Sequence, residues 1–158
     1  MLNLTGSYEC KLDAKGRLMM PTALKKQLIP ELEGGFVVKR ALFDKCLELY
    51  PIAQWDLLMQ KINKLNRFNK KNNDFIRRFL AGVKIVEVDT TGRLLVPKEL
   101  VNFANLEKDI ALSAVGEFVE IWDKESYEKT ITAEDDEKFG NMAQDIMGDT
   151  IEIPDGLS

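Results

Sequence analysis

Asp13, Gly16 and Arg17 stand in the stretch KLDAKGRLMMP (11–21), and Asp89, Gly92 and Arg93 stand at the same spacing in EVDTTGRLLVP (87–97). A carboxylate, a glycine and a guanidinium this close together can do two kinds of chemistry. The Asp oxygen can accept backbone N–H groups one or two residues on and close an Asx-turn, while Gly tolerates the positive φ such a loop needs. The guanidinium can then pair with the same Asp and pin the loop, or project from it toward an anionic partner. Exposed pairs of the pinning kind contribute only ~0–1 kcal/mol. Five of the eleven positions are identical in the two stretches and three more exchange one apolar residue for another, which marks an internal repeat.

Catalysis fits these residues poorly. The 158 residues include no His, which removes Ser–His–Asp and Cys–His nucleophile systems and any imidazole-ligated metal. Acid–base work would fall to carboxylates, Lys or Tyr with strongly shifted pKa values. An enzyme built on Asp13 and Asp89 is the weakest reading, because no metal-ligand cluster or phosphate loop accompanies them. The expectation is a protein without enzymatic activity, cofactor or metal. Cys10 and Cys46 stand alone and far apart, so they read as small buried hydrophobes rather than a disulfide or zinc knuckle.

Charge is unevenly divided. The net value is −4, yet residues 1–81 carry 15 Lys/Arg against 8 Asp/Glu, and residues 82–158 carry 7 against 18. Residues 134–158 alone hold 8 acids and one Lys, and their low aromatic content predicts a frayed or disordered acidic tail. A basic first half fits a polyanion bound through one face; two solvated charged surfaces fit the same numbers. Around Arg17 lie Lys11, Lys15, Lys25 and Lys26, whereas Glu87, Thr91, Val101 and Asn102 hold the matching sites around Arg93. Basic enrichment therefore belongs to the first copy, and Arg93 is expected to matter less than Arg17.

The elements that must hold these loops follow from pattern. YECKL and KIVEV read as half-buried strands, and RLMM and RLLV resume as strands after the loops. Pro21 and Pro97 suit the first position of a short helix. FVVKR and CLELY pair as a hairpin, matched later by DIALSA and FVEIW. Each repeat thus runs strand, loop, strand, helix, strand, strand. Between the repeats, Leu57, Leu58, Ile62 and Leu65 make one helical face, NKKNN breaks it, and Phe75, Ile76, Phe79 and Leu80 make a second. Trp55, Trp122 and Tyr127 read as packing residues. Four short strands bury little alone, so the two units are expected to interleave into one closed barrel without free edges. The boundaries are a first unit over 7–54, a helical connector over 55–82, a second unit over 83–126, and a C-terminal helix with acidic tail over 127–158. No apolar run approaches the ~20 residues of a membrane span, and MLNLTGSYEC lacks a basic region followed by an apolar stretch, so the expectation is a cytoplasmic protein.

LDAKGRLMMPTAL, LELYPIAQW, RRFLAGVKIVEVDTTGRLLVP and FVEIWDKESY, in that order, resemble the MraZ family of bacterial transcriptional regulators, built from two SpoVT-AbrB-like units. The resemblance implies an α+β fold, a pseudo-two-fold swapped-hairpin β-barrel, assembled into a ring-shaped homo-oligomer. It implies sequence-specific binding of double-stranded DNA at promoter repeats ahead of the division and cell-wall gene cluster, hence association with the nucleoid. The DNA-contacting arginine of the family's Asp-x-x-x-Arg loop maps onto Arg17, with Arg93 in the second copy. Lys15 and Lys11, and Arg40 beyond them, are the phosphate-gripping candidates. An oligomeric scaffold or protein-interaction module, favoured by the acidic tail, stays open, as does an antitoxin-like AbrB relative.

Overall fold

Both repeats form the same succession of elements. In the computed structural model, which describes residues 2–148, the first consists of β1 (Leu4–Lys11), β2 (Arg17–Met19), α1 (Thr22–Leu28), β3 (Phe36–Arg40) and β4 (Leu47–Pro51). The second consists of β5 (Lys84–Val86), β6 (Arg93–Leu95), α4 (Lys98–Phe103), β7 (Asp109–Gly116) and β8 (Val119–Asp123). Helices α2 (Ile52–Asn63) and α3 (Lys70–Leu80) lie between them, and α5 (Lys124–Ile131) and α6 (Asp136–Met147) follow. The chain divides into two compact units, Met1–Glu125 and Ser126–Ser158.

Strand pairing crosses between the repeats. The order of the antiparallel six-stranded sheet is β1-β7-β8-β4-β3-β5, and β2 pairs with β6 in a separate two-stranded ribbon. Exchanging every strand for its counterpart reverses the first order and leaves the second unchanged, which defines an approximate two-fold axis. Glu48 faces its own counterpart Glu120 across β4 and β8, and Leu18 faces its own counterpart Leu94 across β2 and β6. The axis therefore runs through both pairs.

One face of the sheet carries Phe36, Val38, Leu47, Leu49, Ile110, Leu112, Val119 and Ile121 into a core shared with Leu18 and Leu94 of the ribbon. Leu24 and Leu28, four apart on α1, and Leu100 of α4 close it from the helices. At ~1.5–3 kcal/mol for each fully buried side chain of this size, this core dominates the stability of the larger unit. Behind β3 and β4, helices α2 and α3 form a smaller cluster of Ile62, Ile76 and Phe79 with Trp55 and Leu58. Trp55 stacks on Phe79 and meets Tyr50 edge-on, and Trp122 is buried, so both tryptophans pack the interior. Cys46 is buried and Cys10 half-buried, and burial raises both thiol pKa values.

Three expectations are corrected. The sheet does not close into a barrel: β1 and β5 end it on opposite sides. The β1 edge is blunted by a side chain, because the Gln27 amide accepts from Thr5 N–H at 3.0 Å and donates to Thr5 C=O at 2.8 Å. At the other edge β5 is only three residues long, and very short edge strands recruit partners poorly. The break between α2 and α3 falls before NKKNN, because Asn69 caps α3 by accepting from Asn72 N–H at 3.2 Å. Residues 136–147 form α6 rather than a frayed tail, with Asp135 accepting from Lys138 N–H at 2.8 Å and Asp136 and Glu137 in the first turn, where the helix dipole favours acids. The remainder of that tail, residues 149–158, lies outside the described residues.

Candidate nucleic-acid interface

The two repeated loops share one hydrogen-bonding plan. Asp13 N–H donates to Arg17 C=O at 2.8 Å and Gly16 N–H to Asp13 C=O at 3.0 Å; Asp89 with Arg93 and Gly92 with Asp89 repeat both distances. The Asp13 carboxylate accepts from the backbone N–H groups of Lys15 and Arg17, each at 2.9 Å, and Asp89 accepts from Thr91 and Arg93 likewise. Gly16 and Gly92 sit at φ +84° and +86°, the left-handed region that other residues enter only under strain. Side-chain contacts then diverge. Arg17 Nε donates to Asp13 Oδ2 at 3.0 Å, whereas in the second loop the Thr91 hydroxyl donates to Asp89 at 2.7 Å. These donors hold both carboxyl groups below the usual Asp value, led by the Arg17 N–H for Asp13 and by the Thr91 hydroxyl for Asp89.

Each loop is tied to the opposite repeat. Val96 N–H donates to Gly16 C=O at 2.8 Å and Met20 N–H to Gly92 C=O at 2.9 Å. Because Leu18 and Leu94 point into the core, alternation turns Arg17, Met19, Arg93 and Leu95 outward on the ribbon. Arg17 pairs with Leu95 and Met19 with Arg93, so the arginines occupy one diagonal and the apolar residues the other. Strand rise and spacing put the two arginine Cα atoms roughly 8 Å apart. Arg17 keeps 37% of its side chain exposed. Nε is taken by Asp13, which leaves the two terminal nitrogens as the outer end of the guanidinium.

The lysines do not follow their sequence neighbourhoods. Lys25 belongs to the first repeat, but its Nζ lies 3.2 Å from where a β-carbon on Gly92 would stand, so it serves the second loop. Lys25 therefore adds one cation to the second loop, where Glu33, Glu87 and Asp89 line the same cleft. Lys15 lines a cleft beside the first loop, together with Lys98 and Lys108 of the second repeat. Lys98 and Lys108 were not legible as neighbours of the first loop, because both are more than eighty residues from Arg17 along the chain. Lys11 is exposed and paired with Asp109, whose carboxyl it holds low. Arg40 lies elsewhere, its guanidinium against Gly82 and 5.4 Å from the Phe103 ring centre. No group of His, Cys, Asp or Glu among the described residues could hold a metal ion, and no described helix is long and apolar enough to cross a membrane.

A tandem-repeat α+β protein that aligns two loop arginines on a two-stranded ribbon is the class this geometry defines. The sequence places it further: the family described as "MraZ protein, putative antitoxin-like" matches residues 3–78 and again 79–148. A Christiangramia forsetii protein named Transcriptional regulator MraZ is 62% identical over 148 residues, covering 94% of this chain and 95% of its own length. A Flavobacterium psychrophilum protein of the same name is 58% identical over 160 residues and the full length of both chains. The chain belongs to the MraZ family.

Proposed function

We propose that this protein is a transcriptional regulator that binds double-stranded DNA through the outward face of the β2–β6 ribbon. The observation that carries the reading is the joint presentation of Arg17 and Arg93 on two directly paired strands, each behind a hydrogen-bonded Asp-x-x-Gly turn. The major groove is ~12 Å wide and admits a two-stranded β-ribbon, where an arginine can donate to guanine O6 and N7 together. Lys15, Lys25, Lys98 and Lys108 flank the ribbon as phosphate contacts that set register without reading sequence. Lys11 and Arg40 are further from this role, one engaged by Asp109 and the other packed on Phe103. The reading is of a binder working in the cytoplasm at the nucleoid, not of a catalyst.

The pairing of β1 with β7 and of β5 with β3 supports describing the larger unit as two exchanged hairpins, with units near 7–54 and 83–126 joined by the 55–82 connector. A ring of such chains on the promoter repeats of the division and cell-wall cluster, as the resemblance implies, makes successive contacts intramolecular and raises avidity by ~10²–10⁴. That is how a chain of net charge −4 grips a polyanion: each ribbon presents two arginines and repetition multiplies their contacts.

Selection of bound duplexes from random DNA, with intact protein at near-physiological salt, tests the reading. A short motif recurring at regular spacing is the expected result, weakened by either Arg17→Ala or Arg93→Ala and lost in the double variant. Recovery of no enriched sequence, with partner binding insensitive to salt, would return the protein to the scaffold class.

A further inference from the structure

We infer that Met19 and Leu95 read thymine methyl groups beside the guanines addressed by Arg17 and Arg93, making the ribbon a mixed polar and apolar reading head. The inference rests on the DNA-binding reading above. Only four side chains leave the outward face of the β2–β6 ribbon, and two of them are large and apolar. Met19 is 44% and Leu95 55% exposed. Water-facing positions flanked by two guanidinium groups and several ammonium groups are where a merely solvated ribbon would place polar residues.

Both apolar side chains lie close to the loops. Met19 Sδ lies 3.5 Å from where a Gly92 β-carbon would stand, and Leu95 Cδ1 lies 3.9 Å from the corresponding point on Gly16. Each apolar side chain thus packs at van der Waals distance beside the turn of the other repeat, whose positive φ is what requires glycine. The spacing suits a base-pair stack. Outward neighbours along one strand are ~6.8 Å apart, and directly opposed residues ~5 Å apart. Stacked base pairs rise ~3.4 Å each, so every arginine has an apolar neighbour one to two base pairs away. In the major groove, thymine is the base that presents a methyl group. An aliphatic side chain covering it distinguishes thymine from cytosine at a position where arginine reads nothing.

The probe is deoxyuridine, which removes the methyl and keeps every hydrogen-bonding group of thymine. Full-length protein is titrated by fluorescence anisotropy with an enriched duplex and with versions in which each thymine is replaced in turn. Wild type is expected to lose about fourfold in affinity per engaged repeat at one or more thymines within two base pairs of a guanine. Met19→Ala or Leu95→Ala should bind the thymine and uracil duplexes alike at its own position, whereas Arg17→Ala binds both more weakly and keeps their ratio. A motif with no thymine so placed, or no thymine–uracil difference in wild type, overturns the inference while leaving the arginine contacts standing. A ratio that survives both apolar substitutions overturns it too, and a change in oligomer mass in those variants then assigns the pair to a contact between protomers. If wild type enriches no sequence at all, the DNA-binding reading fails first.

Discussion

Arg17→Lys separates a reader of bases from a point charge. Lysine keeps the positive charge but loses the planar fork that donates two parallel bonds. In the structure, Nε is committed to Asp13 at 3.0 Å, so in the proposed complex the two terminal nitrogens are the pair left to span guanine O6 and N7. A bidentate contact of that kind discriminates by ~1–3 kcal/mol, or roughly 5- to 150-fold per engaged repeat. Arg17→Lys should therefore lose that much affinity for the enriched duplex while binding a scrambled duplex like wild type. Arg17→Ala should lose the same preference and also flatten the slope of log K against log salt by about 0.9 per contact removed. Both variants should fold and assemble normally, because the side chain is part-exposed and its ion pair with Asp13 contributes only ~0–1 kcal/mol. Mobility-shift titrations from 50 to 200 mM salt, with circular dichroism and size exclusion as controls, give all of these numbers. A lysine variant with undiminished preference would make Arg17 a plain charge, and an alanine variant with unchanged slope would remove it from the interface.

The crossing of Lys25 to the second loop predicts that Lys25→Ala weakens all sequences alike and lowers the salt slope, and that Arg93→Ala approaches Arg17→Ala in severity; an Arg93 variant that binds like wild type would contradict this. Lys39 is 1% exposed, bonded to Arg40 C=O, 3.4 Å from Glu48 and over the Phe79 ring. Lys39→Met leaves Glu48 facing Glu120 without its cation and should cost about 2–4 kcal/mol in urea unfolding, most of it recovered in Lys39→Met/Glu48→Gln; strictly additive effects would refute the pairing. Burial pushes the Glu120 carboxyl up, Trp122 N–H opposes this, and the Glu48 and Asp44 charges add to it. With its folded value above the unfolded one, Glu120 costs stability once pH exceeds the ordinary Glu value of 4.5. Glu120→Gln should therefore raise the melting temperature at pH 7 by about 1–3 °C, a gain that fades on acidification, and a gain constant with pH would point to another cause.

Local chemistry was readable without coordinates wherever the interacting groups lie within a few residues. The Asx-turns span Asp13 to Arg17 and Asp89 to Arg93, the alternation of β2 and β6 spans three residues, and the matching order of elements follows from eleven residues written twice. The capped break at Asn69 and helix α6 were misjudged although their signals are local. Asn-rich and acid-rich stretches read as loop or tail when composition is weighed ahead of capping position.

Tertiary pairing decided everything that joins the two halves. Leu18 meets Leu94, and β1 meets β7, across separations that no turn rule reaches; what selects those registers is the core that both repeats must fill together. The barrel expectation failed there, since the Gln27 amide satisfies Thr5 without another strand. The fold also decided where Lys25 goes, because the chain carries it past its own turn and sets it on Gly92. Sequence alone determined that two stiff turns would each present an arginine, because hydrogen bonds inside a five-residue loop answer only to neighbours. Only the fold decided that both arginines share one ribbon, with Met19 and Leu95 between them, because burial of Leu18 and Leu94 against a common core sets which residues face out.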